Sequence, residues 1–277
     1  MNVEDFREAG NDLYHRLHLP TYPVAVKFIQ TDDEIPEGVL RPAAIGQKWS
    51  LCQAYTYARR FGWHTAITAD DNFCVPASAM HGWIDVTEKE FIESQIRQGW
   101  HKDARAEKNR YRAVMRLFEG PDGESLQDKA GRYRGFISSP LSHTIIEPDT
   151  VLVFGNGAHI THIIHSLCYD YTTPVISSFE GFEETCVKGG ILPFITGQPQ
   201  VVIPGMGDRA FAGISDDEIA IGVPASLLER IVQDLFKTGG DMNIGQPVKS
   251  MVVSGITESI TPGFQYLREV VDKKTNS

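Results

Sequence analysis

The chain has 277 residues, a formal net charge of -10, and 42% hydrophobic and 22% charged residues. This length can bury a sizeable core, as one large domain or as two smaller ones in contact. The negative charge would repel polyanions, so nucleic acid is not expected as a partner. The start of the chain lacks the apolar core of a signal peptide, and no apolar run reaches the roughly 18 residues that cross a bilayer. We therefore expect a cytoplasmic protein without a membrane partner.

The first part of the chain shows helical and strand patterns in alternation. Phe6, Ala9, Leu13 and Leu17 have helical spacing and predict an amphipathic helix that ends before Pro20. The next predicted elements are a strand at 23–29, a helix at 50–60 closed by Gly62, a strand at 65–68 and a helix that begins near Pro76. Residues 88–118 predict one or two charged helices.

From residue 150 onward, strand and helix patterns again alternate. Strands are predicted at 150–154, 174–178, 200–203, 217–222 and 250–253, and helices at 158–169, 183–195, 225–237 and 263–271. Such alternation predicts a layered α/β fold with a mixed sheet in which some strands pair in parallel. We expect one α/β domain over 1–277, with a possible boundary between two closely packed subdomains near 120–148.

Four cysteines, Cys52, Cys74, Cys168 and Cys186, are too few for a disulfide scaffold. In a reducing cytoplasm they are expected to be thiols that serve as core residues, nucleophiles or metal ligands. Cys74 and Cys186 lie where a helix start would favour the thiolate. Three thiolates from Cys52, Cys74 and Cys186 could hold an iron–sulfur cluster with one iron open to substrate, since cysteine is the usual cluster ligand. The alternative is a buried apolar role for each.

Three further motifs are candidate binding sites. The turn Phe154–His159 follows a strand, but Ile160 occupies the position where a dinucleotide-binding turn needs glycine or alanine. His159, His162, His165 and Cys168 form a ladder in steps of three, of which two neighbours could bind zinc or contact a haem. Pro204–Arg209 places two glycines and an arginine after a strand, as a carboxylate or phosphate site would.

Several short motifs resemble the ArCR family, a group of prokaryotic domains of unknown function. They are Pro23–Phe28, Cys52 followed by Ala58 and Gly62, Cys74, Cys186, Gly207–Arg209, and Asp217-Glu218 followed by Gly222–Pro224. The resemblance spans about residues 8 to 240 and implies that the three cysteines belong to a shared pattern. It implies no particular activity. Where relatives carry a further cysteine, this chain has Ile203 and Pro204, which argues against a fourth thiolate.

These observations lead to one hypothesis. Cys52, Cys74 and Cys186 bind an iron–sulfur cluster or another thiophilic metal and must therefore converge, because sulfurs more than roughly 10 Å apart cannot share a cluster. Lys27 or Arg209 engages a small anionic molecule at the open coordination position. Three tryptophans from the same half of the chain would shield the centre; they are Trp49, Trp63 and Trp83.

Two alternatives stay open, and whether the protein is an enzyme is undecided by the sequence. One is a metal-free binding or sensor module that uses Gly205–Arg209 to hold a ligand anion. The other is a cysteine-nucleophile enzyme with His64 or His81 as its base.

Overall fold

A computed structural model describes residues 1–30, 32–99, 101, 103–170, 174–238 and 262–275. Its six strands are β1 (Val24–Ile29), β2 (Thr65–Thr68), β3 (Gly135–Pro140), β4 (Thr150–Gly155), β5 (Gln200–Val202) and β6 (Ile219–Pro224). They form one sheet in the order β2-β3-β1-β4-β6-β5. The structure therefore confirms the layered α/β fold class.

All strand neighbours of this sheet pair antiparallel. Val24 of β1, for example, lies opposite Pro140 of β3 on one side and Leu152 of β4 on the other. The parallel pairs expected in a mixed sheet are not found among the described strands. The alternation of strand and helix patterns led to that expectation, but long helical connections can also join antiparallel neighbours.

The described residues also form eleven α-helices, one π-helix and several short 3₁₀ turns. The α-helices are α1 (Val3–Arg16), α2 (Leu51–Phe61), α3 (Val75–Met80), α4 (Glu88–Gln98), α5 (Ala104–Met115), α6 (Leu126–Ala130), α7 (Gly157–Leu167), α8 (Leu192–Thr196), α9 (Met206–Ala212), α10 (Leu228–Leu235) and α11 (Pro262–Thr275). The π-helix spans Glu184–Ile191 and runs directly into α8.

Successive side chains of the strands enter two separate apolar cores, because a strand points alternate residues to opposite faces. Val24, Val26 and Phe28 of β1 pack in one core, and Ala25 and Ile29 pack in the other. The second core lies under α1, α7 and α10. The first core is formed with α2 to α6, the π-helix, α8 and α9, and it also contains Cys52 and Cys186. This first face of the sheet positions the candidate site.

Most predicted elements are present with shifts of a few residues. The strand at 65–68 and the helix ending at Gly62 are confirmed, and 88–118 forms α4 and α5. The prediction of a strand at 174–178 is wrong, because this segment does not pair with a strand through its backbone. Its contact with β5 is made by a side chain: the Ser177 hydroxyl accepts a hydrogen bond from the Val201 amide, at 2.8 Å. The strand expected at 250–253 lies outside the described residues.

The chain divides into two compact units, residues 1–244 and 245–277. The first holds the sheet and both cores and includes 120–148. The second contains α11, whose side chains are largely exposed. Among the helices that the structure describes, none has both the length and the apolar character needed to cross a membrane.

Candidate functional site

Cys52, Cys74 and Cys186 come from three separate elements and meet on one face of the sheet. Each of Cys52 and Cys186 interacts electrostatically with Cys74, and Cys186 interacts with Cys52 as well. Cys52 and Cys186 are buried, whereas Cys74 is partly exposed. Folding thus brings together thiols that are far apart in the sequence, and Cys74 is the member closest to solvent.

Cys52 is held near the start of α2 by a strong helix cap. Ser50 caps the helix by accepting a hydrogen bond from the Gln53 amide, and the Gln53 side chain accepts one from the Ser50 amide. This reciprocal arrangement satisfies two amides that the first turn would otherwise leave unpaired. The Ser50 hydroxyl also lies 3.1 Å from the Cys52 sulfur. The cap therefore fixes the thiol as well as the helix.

Cys74 precedes α3, and Asn72 clamps the loop that carries it. The Asn72 side chain accepts a hydrogen bond from the Cys74 amide at 2.8 Å and donates to the Cys74 carbonyl at 2.9 Å. It also donates to the Ser78 hydroxyl in α3, at 2.6 Å. Pro76 suits the first turn of the helix, where its missing N–H costs nothing. The predicted helix-start position of Cys74 is confirmed.

Cys186 lies in the π-helix, a rare element that is frequent at functional sites. Glycines on this helix and on β6 allow the helix to lie directly on the sheet. A Cβ on Gly222 of β6 would come within 2.1 Å of the Gly189 carbonyl oxygen, and a Cβ on Gly189 within 2.6 Å of the Leu152 side chain of β4. Only glycine permits such close approach of two backbones. The glycines thus set the distance between Cys186 and the sheet.

Two buried carboxylates, Glu183 and Asp208, complete the cluster, and the sequence motifs did not single them out. An oxygen of Glu183 lies 3.9 Å from the Cys186 sulfur. Asp208 accepts a hydrogen bond from the Gly205 amide at 2.8 Å as part of the cap of α9. It also interacts with Cys52. Asp208 follows Gly205–Gly207, so its position after two glycines was the available signal.

Burial raises the pKa of every acid in this cluster, and neighbouring charges raise the pKa of the three thiols and of Glu183 further. Burial raises the pKa of the Cys52 and Cys186 thiols well above the usual range, and the neighbouring carboxylates raise both further. Burial, followed by the charge of Glu183, raises the pKa of Cys74 to about 12. The pKa of Glu183 is raised to about 7 and that of Asp208 to about 6, mainly by burial. The three thiols are therefore protonated in the metal-free protein.

One hydroxyl group beside the cluster does not use its hydrogen-bonding capacity. The Tyr55 hydroxyl is buried and has no hydrogen-bond partner among the described residues, although Cys186, Cys52 and Asp208 all act on its pKa. The Thr185 hydroxyl lies beside Asp208, and its hydrogen bond lowers the pKa of that carboxyl. Buried donors are almost always paired in folded proteins. The Tyr55 hydroxyl is thus available to an electron-rich group in the cluster.

Residues 12–234 match the family model described as uncharacterised ArCR, domain of unknown function 169. The chain belongs to the ArCR family. An uncharacterised protein of Methanocaldococcus jannaschii is 21% identical over 235 residues, which cover 84% of this chain and 94% of the relative. No solved structure matches the chain. The resemblance inferred from the short motifs is confirmed.

The two cations predicted to serve an anionic ligand make other contacts in this ArCR protein. The Lys27 ammonium is 3.0 Å from an Asp149 carboxylate oxygen. Arg209 donates to the Pro204 carbonyl and, at 3.1 Å, to Asp216. Gly205 serves close packing, because a Cβ there would lie 2.6 Å from the Gly181 carbonyl oxygen. Neither cation is among the groups that shift the pKa values of the three cysteines.

The tryptophans divide between the core and the surface. Trp49 and Trp83 pack in the same apolar core as Cys52 and Cys186. Trp63 is 45% exposed and stacks on Tyr57, at 5.0 Å between ring centroids. Of the predicted shield, the structure thus places Trp49 and Trp83 in the core of the cysteines and Trp63 in a surface stack.

The hydrogen-bond partners of the histidines are groups other than the three thiols. His64 is 2.8 Å from the Ser139 hydroxyl. His81 is buried against the carbonyls of Ala77 and Cys186, and burial lowers its pKa to about 4. The ladder on α7 does not share one face: His159 and His162 are buried, whereas His165 is exposed. The Asn156 amide donates to His159 at 3.0 Å, and His162 lies 3.2 Å from the Thr238 hydroxyl. With their pKa values raised, the thiols are not poised as nucleophiles.

Within the part of the chain that the structure describes, no group of three or more His, Cys, Asp or Glu side chains is arranged to hold a metal ion. In an iron–sulfur cluster each thiolate binds a different iron, so its sulfurs stand further apart than the ligands of one ion.

Proposed function

We propose that this ArCR protein carries an iron–sulfur cluster on Cys52, Cys74 and Cys186, with one iron not bound by cysteine. The observation that carries the proposal is the convergence of three thiols from three elements, beside two buried carboxylates, in one electrostatically coupled group. Cysteine thiolates are the usual ligands of such clusters.

The Tyr55 hydroxyl suits a centre built of sulfur. Thiolate and inorganic sulfide sulfurs both accept hydrogen bonds, and such bonds tune the potential of a cluster. Tyr55 has a buried donor that is not paired within the described protein.

The partial exposure of Cys74 indicates the side from which the centre is reached. Cys52 and Cys186 lie below it, at 8% and 7% exposure. A bound cluster would supply an open iron that acts as a Lewis acid, or a carrier of one electron. The four free cysteines suit a reducing compartment, and we place the protein in the cytoplasm.

The test is anaerobic purification and reconstitution with iron and sulfide, followed by measurement of bound iron, acid-labile sulfide and visible absorption. We expect both elements in the wild type and their loss to background in C52S, C74S and C186S. The matched control is C168S, since Cys168 ends α7 on the other face of the sheet and should leave the content unchanged.

Absence of iron and sulfide from the reconstituted wild type would overturn the proposal. Equal content in the wild type and in a variant with all three cysteines changed to serine would do the same. Circular dichroism and thermal unfolding establish that each variant is folded before its metal content is compared.

A further inference from the structure

Arg110 is a buried arginine that the sequence motifs did not single out. It lies on α5 at 6% exposure, with the guanidinium carbon 4.0 Å from the centre of the Phe182 ring and 5.4 Å from that of Phe91. Its Nε donates to a Glu107 carboxylate oxygen at 3.0 Å. The other Glu107 oxygen is 2.8 Å from Nδ1 of His101. The guanidinium of Arg110 is thus held by the aromatic rings against its plane and by the Nε hydrogen bond at one edge.

The two terminal nitrogens of Arg110 have no hydrogen-bond partner among the described residues, although both are buried. A guanidinium stays charged in proteins, so Arg110 cannot avoid this cost by losing a proton. Leaving charged donors unpaired in the interior costs more than the few kcal/mol that a neutral group costs. The free edge of the fork has the geometry that matches two parallel bonds to a carboxylate or phosphate.

Arg110 lies beside the segment that leads to Cys186. Phe182, on which the guanidinium stacks, immediately precedes Glu183, and Glu183 contacts Cys186. Arg110 also acts electrostatically on Glu180 and Glu183, where its charge offsets part of the rise in pKa that burial causes. Within the described residues it forms no ion pair with either carboxylate; its ion pair is with Glu107. Its terminal donors are therefore unused beside the site, while its charge is paired with Glu107.

We infer that Arg110 binds the anionic group of a small monocarboxylate that reaches the cysteine centre. The bidentate fork suits any oxyanion, but the neighbouring Glu180 and Glu183 decide between classes. A phosphate, carrying up to two charges, meets more repulsion from these buried groups than a carboxylate with one. The inference rests on the proposed function for the identity of the centre, whereas binding by Arg110 does not require the cluster.

The experiment measures binding of acetate, butyrate and inorganic phosphate to the full chain by calorimetry and thermal shift, with and without the reconstituted centre. We expect acetate or butyrate to bind and to raise the unfolding temperature, and phosphate to bind at least tenfold more weakly. R110Q should abolish carboxylate binding. R110K keeps the charge but not the fork, and should weaken it about tenfold. The control is R112Q, on the exposed face of the same helix.

Unchanged carboxylate affinity in folded R110Q and R110K would overturn the inference, as would the failure of both carboxylates to bind the wild type. If neither variant folds, a wild-type crystal soaked in acetate decides: density bridging the terminal nitrogens supports the inference, and its absence overturns it.

Iron and sulfide content is measured in parallel. Normal content without carboxylate binding defeats this inference alone, and carboxylate binding without iron defeats the proposed function alone.

Discussion

Two arginines are buried against aromatic rings in this protein, and they differ in what they do with their terminal nitrogens. Arg59 lies 4.4 Å over Phe154 and donates both terminal nitrogens to Glu218, at 2.6 and 3.1 Å. Arg110 lies 4.0 Å over Phe182 and donates neither to a described residue. Both guanidiniums are removed from water, so the comparison isolates hydrogen bonding.

The difference distinguishes a charge that stabilises the fold, on Arg59, from one whose donors are available for binding, on Arg110. Arg59 joins α2 to the loop before β6 in a pair whose partners compensate one another. The cluster of Cys52, Cys186, Glu183 and Asp208 carries acids with raised pKa values, and Arg110 beside it keeps unused donors. Perturbed acids and unused donors gathered in one place are typical of sites that bind something. The Arg59 pair should therefore govern stability, and the Arg110 region should govern binding.

The largest expected effect comes from breaking the satisfied pair. Arg59→Met leaves Glu218 in a half-buried position without its main partner and should lower the free energy of unfolding by about 3–5 kcal/mol, measured by urea denaturation. Arg60→Met is the control. Arg60 also contacts Glu218, at 3.2 Å, but is 37% exposed, so its loss should cost about 1 kcal/mol or less. Equal losses in the two variants would contradict the structural role assigned to Arg59.

The second effect is a pH dependence caused by Glu183. Its pKa is raised to about 7 by burial, so the folded protein holds this proton more tightly than the unfolded chain does. Stability is therefore greatest below the unfolded pKa and falls as the pH rises through the folded one, by up to about 3 kcal/mol in the metal-free protein. Glu183→Gln should reduce this fall to the part that remains from Asp208, whose pKa is raised to about 6. The measurement is the free energy of unfolding by urea denaturation, taken at intervals of about half a pH unit from about pH 4 to about 8.5.

The control for this prediction is Glu147→Gln, because Glu147 is exposed. It should retain the full pH dependence of the wild type. A Glu183→Gln variant whose stability falls with pH as steeply as that of the control would show that Glu183 ionises normally in the folded state.

The smallest effect is expected at Lys27. Its side chain is 40% exposed, and its partner Asp149 also accepts a hydrogen bond from the Phe28 amide, at 2.8 Å. Lys27→Met should therefore cost about 1 kcal/mol or less, since solvent screens the pair. It should change neither the iron content nor the acetate affinity. A tenfold loss of acetate affinity in this variant would restore Lys27 as the anion-binding residue and weaken the argument for Arg110.

Local structure was largely predictable from the sequence, because caps and periodicity act over a few residues. Ser50 and Gln53 mark the start of α2, Gly62 marks its end, and the apolar residues at 65–68 form β2. The direction of strand pairing was not predictable in this way, since parallel and antiparallel strands have the same alternation. The expectation of parallel pairs was wrong for that reason.

The three cysteines could be named from the sequence, but their partners could not. Glu183 and Asp208 are ordinary acidic residues in the chain, and only burial beside thiols raises their pKa values. Glu218 belongs to the family-like motif Asp217-Glu218, yet the structure uses it to pair with Arg59.

The cations show most clearly which properties the sequence determines and which the tertiary structure determines. The sequence by itself determined the α/β class, most element positions, the family and the set of cysteines, because these depend on local pattern and residue type. Only the tertiary structure decided that Lys27 and Arg209 are paired elsewhere and that Arg110 is buried on Phe182 with unused donors. The physical reason is that burial and hydrogen-bond satisfaction depend on which distant side chains packing brings together.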